Sequence, residues 1–169
     1  MKNILHALYI SVMATATTRL EIKAIVMHRR THEPTVILQD TDGVQLIPIP
    51  VGAAEAGALI IGMDRDGAHL PLPHDILLDL FAAHRFVPES VLFHFSSEYC
   101  TGSLLRYRFR RRRYELEIRP ADALTIAVRN ALPMFAPTGE LERARRPVLP
   151  DSLDVFSQDV LLLNHGSIL

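Results

Sequence analysis

The chain has 169 residues, a formal net charge of −1 and 49% hydrophobic residues. That length suits one domain with a real core plus tails, and the near-zero charge argues neither for nor against a nucleic-acid partner. Cys100 is the single cysteine, which excludes an internal disulfide framework and a Cys-based metal cluster.

No apolar run is long enough to span a bilayer. Residues 1–18 read as a loosely ordered extension. Lys2, the apolar stretch 4–12 and Ala14-Thr15-Ala16 make a poor export signal, because His6 interrupts the apolar part and Lys2 alone supplies the basic end. Met13 is a plausible alternative start. A cytoplasmic protein is expected. The basic residues are almost all Arg, with Lys only at 2 and 23. Arg suits bidentate phosphate or carboxylate contacts better than Lys does, although codon bias gives the same excess.

In chain order, residues 20–28 alternate as a strand, with Leu20, Ile22, Ala24 and Val26 on one side. A turn over 29–34 leads to a second strand, 35–39. Asp40-Thr41-Asp42-Gly43 is a hairpin signal, since Gly supplies a positive φ. The third strand, 44–49, carries Pro48, which favours an edge position. A helix over 53–62 follows.

After a Gly- and Pro-rich loop, 64–73, the next helix is predicted over 74–84. Ile76, Leu77, Leu80 and Phe81 form its expected buried stripe. Strands over 91–95 and 104–110 come next, joined by a turn at 96–102. The latter strand puts Arg106, Arg108 and Arg110 on one face and Tyr107 and Phe109 on the other. A turn at 111–113 opens the strand 114–118. Arg119-Pro120 breaks that strand, and a helix over 121–130 has Leu124, Ala127, Val128 and Ala131 at helical spacing. Pro133 stops it. A short charged helix begins at Thr138, its expected N-cap. Residues 147–169 form an acidic and apolar tail that docks on its own domain or on a partner.

The fold class expected is therefore α+β, with mixed or antiparallel sheets from two strand-strand-strand-helix halves and a connecting helix. The domain is expected over 19–146. Each half ends on a proline corner with an acidic residue in the next helical turn, Glu55 or Asp122, which reads as an internal duplication. A generic strand-proline-helix corner is the alternative.

Several groups carry candidate chemistry. Six arginines between 106 and 113, interleaved with aromatics, could hold a phosphate backbone and stack bases. They could equally be a soluble hairpin that resists edge pairing. His74-Asp75 at a helix start could bind a metal or handle a proton, or be a helix-end Asp beside a surface His. Arg119 and Asp122 could share a site or simply bridge each other, and Glu55 is open to the same two readings. No P-loop or Gly-rich dinucleotide pattern is present.

Three ordered motifs carry a resemblance. Leu46-Ile47-Pro48-Ile49 with Glu55-Ala56, then Pro71-x-x-His74-Asp75-Ile76-Leu77, then Arg119-Pro120-Ala121-Asp122-Ala123-Leu124 with Arg129 and Pro133-Met134-Phe135, resemble the bifunctional nuclease domain family over 19–146. The resemblance implies an α+β domain that assembles into homo-oligomers, with RNase and DNase activity among plant members. Leu70 and Pro73 stand where the family usually has Arg and Thr. Ala121 stands in place of Ser, and Glu117 in place of Asp.

The leading expectation is a nuclease-like hydrolase acting on RNA or DNA. His74 would be general base or metal ligand. Glu55, Asp75 and Asp122 would hold Mg²⁺ or Mn²⁺. Arg119 would stabilise the developing phosphorane charge. Arg106, Arg108, Arg110, Arg111, Arg112 and Arg113 would hold the strand. The alternative is a non-catalytic, oligomeric binding or regulatory module for nucleic acid or a small anion.

Overall fold

The structure is a computed structural model that describes residues 16–27, 32–64, 71–96 and 99–144. Residues 1–15 of the N-terminal extension, Leu70 and the C-terminal tail lie outside the described residues, whereas Thr17 and Thr18 already belong to a strand paired with Pro137 and Ala136.

Strands β1 (Thr17–Met27), β2 (Pro34–Asp40) and β3 (Leu46–Pro50) form an antiparallel meander followed by helix α1 (Ala53–Met63). Helix α2 (Pro73–Ala83) connects to β4 (Phe86–Ser96), β5 (Tyr99–Phe109) and β6 (Arg112–Ile118), a second antiparallel meander followed by α3 (Pro120–Arg129). Strand β7 (Met134–Pro137) and helix α4 (Thr138–Arg143) close the described chain. The α+β class and the two strand-strand-strand-helix halves are as the sequence implies.

The halves are fused into one seven-stranded mixed sheet in the order β3-β2-β1-β7-β4-β5-β6. The sequence reading missed the joining strand. β7 is four residues, Met134-Phe135-Ala136-Pro137, too short to show alternation. It pairs antiparallel with β1 and parallel with β4, so it inserts between the first strands of both meanders. Twist of about 20–25° per strand accumulates across such a sheet. The sheet curls far enough for β3 to touch β5, although four strands separate them in the order.

The curled sheet wraps α3. Residues Ala123, Leu124, Thr125, Ile126 and Ala127 are all buried, so this helix is enclosed on every side rather than along one stripe. Leu124 belongs to the main core together with Leu20, Val36, Val91, Phe93 and Leu105. Thr125 is also fully buried, and its hydroxyl donates back to the Ala121 carbonyl at 3.0 Å, which satisfies it inside the helix. The helix ends before Pro133: Asn130 is its C-cap, and Ala131 takes a left-handed φ of 50°.

Local signals explain the hairpins. Gly43 has a φ of 72°, and the Asp40 carboxylate accepts the Val44 and Gln45 amides at 2.8 and 2.9 Å. β3 is an edge strand, as Pro48 requires. The second hairpin turns at Arg110 and Arg111, so Arg112 and Arg113 belong to β6 rather than to the turn. β4 also starts five residues earlier than expected. Pro88 and Glu89 lie beside a register shift between Pro88 and Ser90, and this breaks the alternation that marks a strand.

The largest correction concerns α2, which buries none of its residues. Ile76 and Leu80 are 54% and 52% exposed, and Leu77 is 36% exposed. Phe81 does turn inward, against Phe86 and Tyr107. Helical periodicity identified an apolar face, but it could not say whether the fold covers that face.

Candidate functional site

The first turns of three helices meet at one end of α3. Glu55 lies in the first turn of α1, His74 in that of α2, and Asp122 in that of α3, whose N-cap is Arg119. Helices α1 and α3 run side by side in the same direction. Glu55 approaches Arg119 at their starts, and a Cβ on Gly62 would lie 3.0 Å from Arg129 Cγ near their ends. Their positive dipole ends therefore point the same way, where carboxylates are favoured.

Arg119 binds this corner together. Its Nε donates to Asp122 Oδ2 at 2.7 Å and its Nη2 to Asp122 Oδ1 at 3.0 Å. Nη2 also stands 3.5 Å from Glu55 Oε1. The bridge between Arg119 and Asp122 is therefore real, and it reaches Glu55 as well. Arg119 remains 71% exposed along its side chain, so an incoming anion can meet it. His74 Nε2 lies 3.4 Å from Asp122 Oδ1.

The Arg119 hydrogen bond is the main cause holding the Asp122 carboxyl below the usual carboxylate range, with His74 assisting and partial burial opposing. Asp122 raises the Arg119 guanidinium in turn. A His74 ring protonated at Nε2 can donate to the ionised Asp122. His74 Nδ1 is buried and has no hydrogen-bond partner among the described residues.

Asp75, next to His74, is engaged elsewhere. Its Oδ2 accepts the Leu72 amide at 2.7 Å, which closes the first turn of α2. Its other oxygen accepts Nη1 of Arg129, near the C-terminus of α3. Arg129 is mostly buried, and its Nε and Nη2 have no hydrogen-bond partner among the described residues. Asp122 and Arg129 are seven apart, two turns along one helix face, so His74 and Asp75 grip the same face of α3. That i, i+7 spacing was the signal available for Arg129. Leu72 is the N-cap of α2 and Arg119 that of α3, so Pro73 and Ala121 lie inside their helices, where a Thr or Ser would not be the N-cap. Pro137, not Thr138, is the N-cap of α4, and the Thr138 hydroxyl bonds that of Thr18 at 2.9 Å.

The expected metal ligands do not form one donor set. Among the described residues no three His, Cys, Asp or Glu side chains are arranged to hold an ion. A guanidinium fills the space between Glu55 and Asp122, and Asp75 is paired with Arg129. This arrangement does not fit a Glu55–Asp75–Asp122 metal site.

The arginine hairpin lies elsewhere. Leu105 is buried in the core beside α3, so Arg106 and Arg108, the alternate residues of β5, face the other side of the sheet. Arg106 pairs with Glu115 at 2.8 Å, and Glu89 accepts from both Arg108 and Arg113 at 2.9 Å. Arg110 rests over the Phe109 ring. Arg111 and Arg112 are exposed and make no ion pair with a described residue. Arg112 lies seven residues along β6 from Arg119, roughly 23 Å at 3.3 Å per residue. Within one chain the hairpin tip therefore does not reach the helix corner.

Two further features were not foreseen. His94 Nδ1 lies 3.2 Å from Glu140 Oε1, and Glu140 Oε2 accepts the Phe95 amide at 2.8 Å, which pins α4 to β4. Burial pushes the Cys100 thiol up to about 11, which keeps it protonated and unreactive at neutral pH.

This is an α+β protein whose polar corner is assembled from three helix starts. Residues 36–148 match the profile described as the bifunctional nuclease domain, and the chain belongs to that family. The membership ties it to nucleic-acid-related function. It is also similar to an uncharacterised protein of Mycobacterium tuberculosis, strain CDC 1551 / Oshkosh, with 25% identity over 135 residues, 80% of each chain. A counterpart in strain ATCC 25618 / H37Rv matches over the same length at the same identity. No helix among the described residues is long and apolar enough to cross a membrane.

Proposed function

We propose that the protein hydrolyses phosphodiester bonds in RNA or DNA at the corner formed by Glu55, His74, Arg119 and Asp122. The observation that carries this reading is their convergence from three separate helix starts into one chain of hydrogen bonds and an ion pair. In it, Asp122 orients the His74 ring, which handles the proton. Arg119, exposed and charged, meets the non-bridging phosphate oxygens and stabilises charge that develops there. Glu55 holds the guanidinium in place. Asp75 acts indirectly, by fixing the first turn of α2 against α3.

A second reading is a non-catalytic binding module for nucleic acid or a small anion. Its support is that His74 Nδ1 is buried away from solvent and the corner's carboxylates are already met by Arg119. The deciding experiment is cleavage of labelled single-stranded RNA and DNA by wild type and His74→Ala, purified identically, with Mg²⁺, with Mn²⁺ and with EDTA. The hydrolase reading expects cleavage that falls at least a hundredfold in the variant. Equal cleavage by both proteins sinks it, and retained binding without cleavage establishes the module. The EDTA arm decides metal dependence separately.

A further inference from the structure

Among the described residues, the outer side of β6 and the apolar face of α2 are left unpartnered. β6 ends the sheet and pairs with no other described strand on its outer side. Helix α2 packs against α3 and β4: His74 at its start reaches Asp122, just past the end of β6, and Phe81 near its end packs on Tyr107 of β5, which in turn stacks on Tyr114 of β6. Tyr114 and Leu116 of β6 are 38% and 45% exposed, and Ile76, Leu77 and Leu80 of α2 are uncovered as well. A free strand edge flanked by apolar side chains is a template for another strand.

We infer that a second copy of this chain pairs antiparallel through β6, and that its arginine hairpin completes the helix-corner site. This rests on the reading that the corner and the hairpin both serve nucleic acid.

The β6 sequence, Arg112-Arg113-Tyr114-Glu115-Leu116-Glu117-Ile118, is complementary to itself when reversed. Phe109 and Arg112 close the two-residue turn, so Arg113, Glu115 and Glu117 turn their backbone groups outward. Centring the pair on Glu115 uses all three and pairs the strand over its full length. Arg113 then faces Glu117 of the partner subunit, and Tyr114 faces the partner's Leu116. The one like-charged contact, Glu115 against the partner's Glu115, is relieved because each already holds its own Arg106. The same register sets Arg112 opposite Ile118 of the partner subunit, one residue before that subunit's Arg119. The exposed tip arginines, about 23 Å from the corner of their own chain, then stand beside the corner of the other. A nucleic-acid strand would be held by one subunit's hairpin while the other subunit's corner acts on it.

The test is cross-linking in the full-length protein, in a Cys100→Ala background. Arg112→Cys and Ile118→Cys chains, carrying different tags, are co-expressed and oxidised. The interface expects a disulfide-linked dimer of the two different chains and little in either variant alone, because two copies of position 112 lie roughly 20 Å apart in this register. Sedimentation is expected to show wild type as a dimer or larger and Leu116→Lys as a monomer with unchanged circular dichroism. A wild-type monomer at tens of micromolar, a Leu116→Lys dimer, or co-expressed chains that cross-link no better than the single variants would each overturn the proposal. Neither readout needs catalysis. A cross-linked dimer without cleavage would leave this interface standing and remove the hydrolase reading.

Discussion

His74 Nε2 stands 3.4 Å from Asp122 Oδ1 although 48 positions separate the two residues. The contact joins the start of α2 to the start of α3, and Arg119 extends it to α1 through Glu55. Asp75 and Arg129 repeat the grip farther along the same helix. The consequences can be measured one contact at a time.

Asp122 contributes to stability in its charged form. Its folded carboxyl is held low, chiefly by Arg119, so the contribution is complete above the ordinary carboxylate range and is lost as pH falls through the folded value. The window therefore lies below about pH 4. Asp122→Asn is expected to cost under about 1 kcal/mol at pH 7, because Arg119 is largely exposed and solvent screens the pair. Urea unfolding should show the gap between wild type and variant shrinking toward pH 3.

Arg129 is mostly buried, and its one hydrogen-bonded partner among the described residues is Asp75. Arg129→Met leaves the Asp75 carboxylate uncompensated and is expected to cost about 3 kcal/mol. Adding Asp75→Asn removes that stranded charge, so the double variant should be more stable than Arg129→Met alone. A double-mutant cycle by denaturant unfolding gives the coupling.

Gly52 is the N-cap of α1, with an ordinary φ of −75°, so alanine suits its backbone. A Cβ there would fall 2.3 Å from Glu55 Oε2. Gly52→Ala is expected to push the Glu55 carboxylate away from Arg119 while changing stability by less than about 1 kcal/mol, since only the end of a flexible side chain must move. Cleavage or nucleic-acid binding should fall with unfolding nearly unchanged.

Glu89 accepts hydrogen bonds from Arg108 and Arg113 together. Glu89→Gln releases both cations from their carboxylate. Nucleic-acid affinity should rise, and the dependence of log K on log salt should steepen by about one unit for each additional phosphate contact. Fluorescence anisotropy across a salt series reads both effects.

Much of the fold was legible because local chemistry fixed it. Asp40 and Gly43 set a hairpin, Pro48 marked an edge, and the proline corners at 50 and 120 ended strands before helices. β7 was not legible, because four residues carry too little pattern and gain their place only from the two strands they join. The site divided in the same way. Glu55, His74, Arg119 and Asp122 were marked by their positions in first helical turns. The engagement of Asp75 by Arg129 was not marked, since it depends on where α2 crosses α3.

By itself the sequence determined the types of the longer elements, turn chemistry and the acidic residue at each helix start, all set by interactions within a few residues. Only the tertiary structure decided that α3 would be wrapped, that α2 would leave Ile76 and Leu80 in solvent, and that the hairpin would lie away from its own chain's corner. Those outcomes follow from sheet twist and from which strand ends the sheet. Both are properties of the assembled whole that no short stretch encodes.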